Sequence, residues 1–178
     1  MILSQRRRLL GAALALPFAG SAFAQLTCGQ LTARQTEGPF FKTNTPQRNS
    51  LLEKGDKNVL VISGRVVSAQ CKPVTNALLD FWHADELGDY DNRGFRYRGH
   101  QFTDAQGGFR LETIVPAEYP GRARHIHVKV QAPGKRLLTT QLYFPHDPGN
   151  VRDGLYRRDL EIRDFKKGEG KFDFVVEA

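Results

Sequence analysis

The segment VLVISGRVV, residues 59–67, is rich in β-branched side chains and lies between polar residues, a pattern typical of a strand. Apolar and polar residues alternate at 109–114 and 125–130, as they do in strands with one buried face. Further short strands are expected at residues 77–82, 137–144, 159–162 and 172–176. The sequence therefore predicts an all-β fold, an antiparallel β-sandwich of about seven or eight short strands with an N-terminal arm.

Two stretches of the chain lack these strand patterns. Residues 25–56 are polar and rich in turn-forming residues, and we expect them to form an ordered arm without a strong helix. Residues 57–178 would then form the sandwich domain. Within that domain, residues 87–101 are the longest irregular stretch, and long loops on a rigid sandwich often carry the functional site.

The first residues of the chain have the features of an export signal. Three arginines, Arg6 to Arg8, precede an apolar run at 9–24 that ends in the small-residue pattern Ala22-Phe23-Ala24. The run is too short and too interrupted for a transmembrane helix, so we expect no stable membrane anchor. We interpret residues 1–24 as a twin-arginine-type signal peptide that directs export to the periplasm or beyond. Ordinary secretion and a buried N-terminal helix are the alternatives.

The positive charge of the chain invites a nucleic-acid interpretation, which the signal peptide weakens. The formal net charge is +7, and removing the three arginines of residues 1–24 leaves +4. The remaining charges are mixed in sign and contain no run of five like charges, so we expect no nucleic-acid partner. The length of 178 residues and a charged fraction of 25% suit one ordinary globular domain.

Two cysteines, Cys28 and Cys71, remain after removal of the signal. An even number of cysteines in an exported protein favours a disulfide bond, which would attach the N-terminal segment to the sandwich. Two free thiols are the alternative. Two cysteines are too few for a tetra-cysteine zinc site within one chain.

Two histidines and two tyrosines are the strongest candidates for chemistry. His125 and His127 are two residues apart on a predicted strand, so both imidazoles point to one face and could chelate a metal ion. Tyr90 and Tyr119 lie beside turn-forming residues, and a highly charged cation can bind a phenol as phenolate. The plainer alternatives are two half-exposed strand histidines and two packed tyrosines.

Several short motifs in this region occur together in one order. They are ALLDFWHA at 77–84, GDY at 88–90, Tyr119-Pro120, Arg122, HIH at 125–127 and LTTQ at 138–141, with TEGPFF upstream at 36–41. In this combination the sequence resembles the intradiol ring-cleavage dioxygenases, the family of catechol and protocatechuate dioxygenases, over their catalytic β-sandwich core.

The resemblance implies a non-haem Fe(III) cofactor and a catechol-type aromatic diol that is cleaved with O2 to a muconate-type diacid. Tyr90 and His127 would be equatorial ligands, and Tyr119 and His125 axial ligands. Tyr119 would also leave the metal and accept a proton from the diol, which makes it both ligand and base.

The resemblance further implies roles for residues around the metal. Arg122 would stabilise charge that develops on the substrate ring, and Gln141 would donate a hydrogen bond near the metal. Candidates for the wall of the substrate pocket are Thr36, Gly38, Pro39, Phe40 and Trp82. Trp82 could equally belong to the core, and Arg122 could be a surface residue.

Two alternatives remain on the sequence alone. The segments 64–77 and 103–109 also resemble non-catalytic β-sandwich binding modules of the prealbumin-like or carboxypeptidase-regulatory kind. Zinc or copper bound by His125 and His127 alone is the other alternative. The sequence leaves open which catechol is the substrate and which oligomer forms, and it assigns no role to His83, His100 or His146.

Overall fold

Nine strands in two sheets form the fold in the computed structural model, which describes residues 29–178. The first sheet has the order β4-β1-β8-β7, with β9 also paired to β1, and the second has the order β3-β2-β5-β6. The strands are β1 (Val59–Ser68), β2 (Leu78–Trp82), β3 (Arg98–Phe102), β4 (Gly108–Ile114), β5 (His125–Gln131), β6 (Leu138–Tyr143), β7 (Arg163–Lys166), β8 (Glu169–Lys171) and β9 (Phe174–Val176). Two single-turn 3-10 helices lie at Pro148–Val151 and Arg158–Leu160.

The core lies between the two sheets and is formed by the alternating apolar residues. Leu60 and Ile62 of β1 are fully buried in the same cluster as Ile126, Val128 and Val130 of β5. Each fully buried aliphatic side chain contributes about 1.5–3 kcal/mol through removal of apolar surface from water. The predicted β-sandwich is therefore confirmed.

Three details of the predicted strands are wrong. Strand β3 overlaps residues 98–101 of the stretch that lacked a strand pattern, because its polar residues Arg98 and His100 bond to the arm instead of facing water. The predicted strand at 159–162 is largely a 3-10 turn, and the strand begins at Arg163. Strands β8 and β9 pair with β1 in parallel, whereas the sequence predicted an antiparallel sandwich. The sequence could not indicate this direction, because segments of three residues contain no local signal for it.

The arm runs along the outer face of the second sheet. It first follows the edge strand β6, where the Gln35 amide donates to the Thr139 carbonyl at 2.9 Å and the Thr140 hydroxyl donates to the Ala33 carbonyl at 2.7 Å. Further along, the Thr45 hydroxyl donates to the Asp80 carboxylate at 2.9 Å. The arm therefore covers the face of the sheet that points away from the core.

Several predictions concern residues before Gly29. The signal peptide at 1–24 and Cys28 lie outside the described residues. Cys71 is disulfide-bonded, and Cys28 is the partner that we expect for it. Within residues 29–178, no helix combines the length and the apolar character needed to cross a membrane.

His83 joins the two sheets inside the core. It follows β2, is 1% exposed, and its Nδ1 donates to the Ala84 carbonyl at 2.7 Å. Its Nε2 then accepts from the Thr113 hydroxyl of β4 at 2.6 Å. Burial lowers the pKa of His83 to about 4, so the ring is neutral at pH 7. His83 is thus a structural residue, whereas His146 is exposed.

Replacing His83 with Asn should reduce the pH dependence of folding stability between pH 6.5 and pH 4, to which the buried His125 also contributes. In the unfolded chain the histidine binds a proton near pH 6.5, whereas in the folded protein it does so only near pH 4. The wild-type free energy of unfolding therefore falls as the pH decreases through this window, and His83 accounts for about 3 kcal/mol of the loss. Urea denaturation at several pH values measures it.

The control is His146→Asn, which makes the same substitution at an exposed histidine outside the core. An unchanged slope in His83→Asn would show that the buried histidine does not govern acid stability. The Asn amide can still donate to the Ala84 carbonyl, so the variant removes the titrating group with limited loss of hydrogen bonding.

Candidate metal centre

Strand β5 places two imidazoles on the outer face of the second sheet, under the arm. His125 and His127 are 4% and 3% exposed, while Ile126 and Val128 between and after them point into the core. In the strand register, His127 lies between Trp82 of β2 and Gln141 of β6. The site is thus built on three neighbouring strands that the core holds rigid.

The metal-binding atoms of three side chains meet at this face. The Nε2 atoms of His125 and His127 are 3.1 Å apart, and the Tyr90 hydroxyl is 3.3 Å from His125 Nε2. His125 Nδ1 is 2.7 Å from the Ala123 carbonyl, which can only accept, so Nδ1 carries the proton and Nε2 presents a lone pair.

Burial keeps both imidazoles neutral. It lowers the pKa of His125 to about 4 and that of His127 well below its usual range, with the neighbouring His125 and Arg122 adding to the effect on His127. Burial also raises the pKa of the Tyr90 hydroxyl, although Arg122 and Arg98 oppose the increase. Without a bound cation, the centre therefore consists of two neutral imidazoles and a neutral phenol.

The two tyrosines lie on adjacent loops that are tied together. The Ala117 amide donates to the Asp85 carbonyl at 2.9 Å. Gly88, with φ +90°, packs so closely on the Glu118 carbonyl that any side chain there would collide with it. The Tyr119 ring consequently lies edge-on to the Tyr90 ring, with centroids 5.9 Å apart. Of the four predicted ligands, the donor atoms of Tyr90, His125 and His127 converge, and the Tyr119 ring lies next to Tyr90, half-buried at the outer edge.

The arm forms one wall of the site. The Phe40 ring stacks on Tyr90 at a centroid distance of 4.3 Å and meets the edge of Tyr119 at 5.3 Å. Gly38 lies beside His127, where an added Cβ would be 3.5 Å from the imidazole Cε1. The Thr36 carbonyl accepts a hydrogen bond from Gln141, and Pro39 is exposed between these residues. The predicted pocket residues of the arm therefore line the centre, except that no contact places Pro39 against it.

Trp82 belongs to the site and is also almost fully buried. Its indole stacks on the His127 imidazole with centroids 4.8 Å apart and an interplanar angle of 9°. On its other side it contacts the Phe41 ring at 4.9 Å. The indole therefore fixes the plane of the His127 ring as a packing residue, and its role as a pocket wall stays a prediction.

Arg122 is the charged centre of a hydrogen-bond network beside the histidines. Its Nε donates to both carboxylate oxygens of Asp153 at 3.0 Å. One terminal nitrogen donates to Gln141 Oε1 at 2.6 Å and to the Tyr143 hydroxyl at 3.2 Å. The Asp153 side chain is 1% exposed and that of Arg122 is 17% exposed. Arg122 is therefore not a surface residue, in contrast to Arg124, whose side chain is 41% exposed.

Sequence reasoning missed three residues of the site. Tyr143 lies two residues after Gln141 on the same face of β6, a signal that strand alternation could have provided. Asp153 and the buried Arg98 reach the site from loops and strands far away in the chain, and no local pattern indicates them.

The arrangement suits a metal ion held jointly by histidine and tyrosine. The Tyr90 hydroxyl lies 3.3 Å from His125 Nε2, and the two histidine Nε2 atoms lie 3.1 Å apart. The other ring nitrogen of His127, Nδ1, is buried without a hydrogen-bond partner. In residues 29–178, no group of three or more His, Cys, Asp or Glu side chains could hold a metal. A metal ion at this face would therefore need tyrosine oxygens as ligands beside the two imidazoles.

Comparisons with known proteins identify relatives of the whole sandwich. The sequence model of a family described as Dioxygenase matches residues 36–158. Catechol 1,2-dioxygenase 2 from Acinetobacter lwoffii is 33% identical over 168 residues, which cover 74% of this chain and 61% of that protein. The chain spans about half to three fifths of the length of the curated relatives that it matches.

Solved structures share the fold. The dioxygenase domain of a dioxygenase and carbohydrate-binding protein fusion from Streptomyces sp. SirexAA-E is 52% identical, with a TM-score of 0.80, and the match covers 84% of this chain and 99% of that one. Hydroxyquinol 1,2-dioxygenase from Pseudomonas putida DLL-E4 is 27% identical, with a TM-score of 0.74, over 83% of this chain and 67% of that one.

Addition of Co²⁺ to metal-free protein should quench the fluorescence of Trp82. The chain contains one tryptophan, and its indole stacks directly on His127, so a bound transition-metal ion would lie close enough to quench it. Quenching should saturate at one equivalent. Tyr90→Phe removes one donor without touching the indole and should weaken Co²⁺ affinity more than about tenfold, which is about 1.4 kcal/mol.

Tyr97→Phe provides the matched control, because the Tyr97 hydroxyl bonds to Asp56, outside the centre. Its Co²⁺ titration should resemble that of the wild type. Equal Co²⁺ affinity in Tyr90→Phe and the wild type would contradict a metal site at this convergence.

Proposed function

Since the chain belongs to the intradiol ring-cleavage dioxygenase family, we propose that it holds non-haem Fe(III) and cleaves a catechol-type aromatic diol with O2 to a muconate-type diacid. The observation that carries the proposal is the convergence of three donor atoms: the Tyr90 hydroxyl lies 3.3 Å from His125 Nε2, which lies 3.1 Å from His127 Nε2. Family membership sets aside the alternative of a non-catalytic binding module.

The four side chains that would hold the iron are Tyr90, Tyr119, His125 and His127. When bound, Fe(III) would withdraw electron density from a chelated diol and favour deprotonation of the oxygens that bind it. Burial lowers the pKa of His125 to about 4 and that of His127 well below its usual range, so both imidazoles are neutral and ready to act as ligands throughout the physiological pH range. Two phenolate oxygens would balance much of a triply charged cation, which favours the ferric state.

Tyr119 is the side chain best placed to exchange its position for a substrate oxygen. It is half-buried, and its described ring contacts are edge contacts with Phe40 and Tyr90. Gly121 follows in open space with φ +79°, so the loop has room to adjust. If bound Fe(III) holds Tyr119 as phenolate, its oxygen could take a proton from the diol to become a neutral phenol, and the ring could move outward with little loss of packing.

Arg122 and Gln141 would stabilise charge on the diol. The guanidinium is held by two bonds to the buried Asp153 carboxylate, so its orientation is fixed before substrate arrives. Donors that are preorganised in a site with little water lose no reorganisation energy at the moment of reaction. Gln141 accepts a bond from Arg122 and donates one to the Thr36 carbonyl, so it links the Arg122 guanidinium to the arm.

The arm would exclude water and select the substrate. Phe40, Gly38 and Trp82 present an apolar surface around the histidines, which suits a flat aromatic ring. Catechol, protocatechuate, hydroxyquinol and lignin-derived diols all have the required pair of hydroxyl groups. A panel of these compounds is the direct way to assign the substrate.

Protein reconstituted with iron should be red-brown, because tyrosinate-to-Fe(III) charge transfer absorbs visible light. It should consume O2 with at least one diol of the panel, and mass spectrometry with ¹⁸O2 should show both labelled oxygen atoms in the ring-opened diacid. Tyr90→Phe and His127→Ala should lose the colour and the activity. A colourless wild-type protein after iron loading would refute the proposal.

Arg122→Ala separates metal binding from turnover in the same assay. The reconstituted variant should keep its colour, while kcat should fall about a hundredfold, as expected when a preorganised donor is removed. Arg124→Ala is the matched control, because Arg124 pairs with Asp147 outside the centre and should turn over normally. Normal turnover in Arg122→Ala would contradict the role assigned to Arg122.

We also propose that the protein is exported to the periplasm or secreted through a twin-arginine-type signal. The support is the order of three arginines, an apolar run and a small-residue cleavage pattern within residues 1–24. N-terminal sequencing of the exported protein should give a chain that begins at Gln25. Full-length protein that stays in the cytoplasm would refute the proposed export.

A further inference from the structure

Arg98 is a buried cation without an ion-paired carboxylate. Its side chain is among the largest that are fully buried, and the residue is 1% exposed. Among the described ion pairs of residues 29–178, none includes Arg98. Burial lowers the pKa of its guanidinium, and the more distant Asp91, Tyr90 and Asp80 oppose that shift. Unpaired buried charges are costly, so the contacts of this residue call for an explanation.

The guanidinium joins two segments on either side of Tyr90. Its terminal Nη1 donates to the Phe40 carbonyl at 2.6 Å, and its Nε donates to the Asp91 carbonyl at 3.0 Å. Asp91 directly follows Tyr90, and the Phe40 ring stacks on the Tyr90 ring at 4.3 Å. A single planar group therefore holds both the backbone next to Tyr90 and the residue that covers its ring.

The segment after Tyr90 is also held by its own hydrogen bonds, so a bond from Arg98 to its backbone restrains the whole segment. The Asp91 carboxylate accepts from the amides of Arg93, Gly94 and Arg96. These bonds lower its pKa to about 2. Because the side chain of Asp91 closes its own loop and its carbonyl is held by Arg98, the position of Tyr90 follows from that of the guanidinium.

A second arginine nearby provides a comparison. Arg48 donates to the carbonyls of Phe95 and Arg98, further along the same loop. It has no described bond to Phe40 or to Asp91. Arg48 thus shares the chemistry of Arg98, an arginine that donates to backbone carbonyls, without its attachment on both sides of Tyr90.

We propose that Arg98 is a positioning residue that fixes the Tyr90 ring by fastening the arm to the segment after Tyr90. It does not touch the substrate. Lysine cannot replace it fully, because a compact ammonium group cannot span two carbonyls in the way a planar guanidinium does. Its effect on metal binding and turnover rests on the proposed function, whereas the fastening of the arm does not.

Hydrogen–deuterium exchange on metal-free protein tests the fastening by itself. In Arg98→Met, peptides that cover residues 36–42 and 90–93 should exchange more than about tenfold faster than in the wild type. Arg98→Lys should restore part of the protection. Arg48→Met should accelerate exchange near residue 95 and leave residues 36–42 unchanged.

Metal binding and spectra test the positioning of Tyr90. Arg98→Met should weaken Co²⁺ affinity, measured through Trp82, by about tenfold or more, and in iron-loaded protein it should weaken or shift the tyrosinate band. Arg98→Lys should give intermediate values, and Arg48→Met should give wild-type values. If Arg98 only supported the fold, these readouts would change to a similar extent in Arg98→Met and Arg48→Met.

Clear outcomes would overturn the proposal. Unchanged exchange of residues 36–42 in Arg98→Met refutes the fastening, and unchanged Co²⁺ affinity and spectrum refute the positioning. Equal effects of Arg48→Met and Arg98→Met show a general structural role instead. If Arg98→Met does not fold, the same measurements on Arg98→Gln test the proposal, because the Gln side chain keeps a planar amide donor. A colourless wild type would reject the proposed iron chemistry and leave the exchange result standing.

Discussion

The alternation of side chains along β5 is the constraint on which both the core and the candidate metal centre depend. Ile126, Val128 and Val130 point between the sheets, and His125 and His127 point to the opposite face. A register shift of one residue would place the imidazoles in the core and the aliphatic side chains under the arm. The energy of the core therefore also fixes the direction of the two imidazoles, and no separate device is needed to orient them.

The arm converts this exposed sheet face into a closed site. Its Phe40 ring stacks on Tyr90, and its backbone accepts bonds from Gln141 and Arg98. The burial that results keeps the imidazoles neutral, as metal ligands must be. The same burial would make an isolated charge costly, so the charged side chains at the site are tied to fixed polar partners. Burial by the arm is thus the reason both that the imidazoles are neutral and that the site depends on the arm.

Local patterns in the sequence predicted the parts of the structure that local physics determines. Strand β1 and strand β5 follow from β-branched content and alternation, and the His125/His127 pair follows from a strand period of two. Strand β3 was missed because its residues are polar yet buried, which only the covering arm explains. Asp153 is 31 residues from Arg122, and Phe40 is 58 residues from Arg98. Such pairings depend on the folded topology, and a single sequence contains no signal for them.

The positive net charge of the chain is a poor guide to its chemistry, and the site shows why. Exposed charges are screened over about 8–10 Å at ordinary ionic strength. Arg122 and Arg98 instead act beneath the arm, where charges interact more strongly, and each is held by partners that fix its direction. Their effect is set by orientation and burial. Two arginines placed in this way can act on the proposed anionic diol and on a tyrosine ring, whatever the charge of the remaining surface.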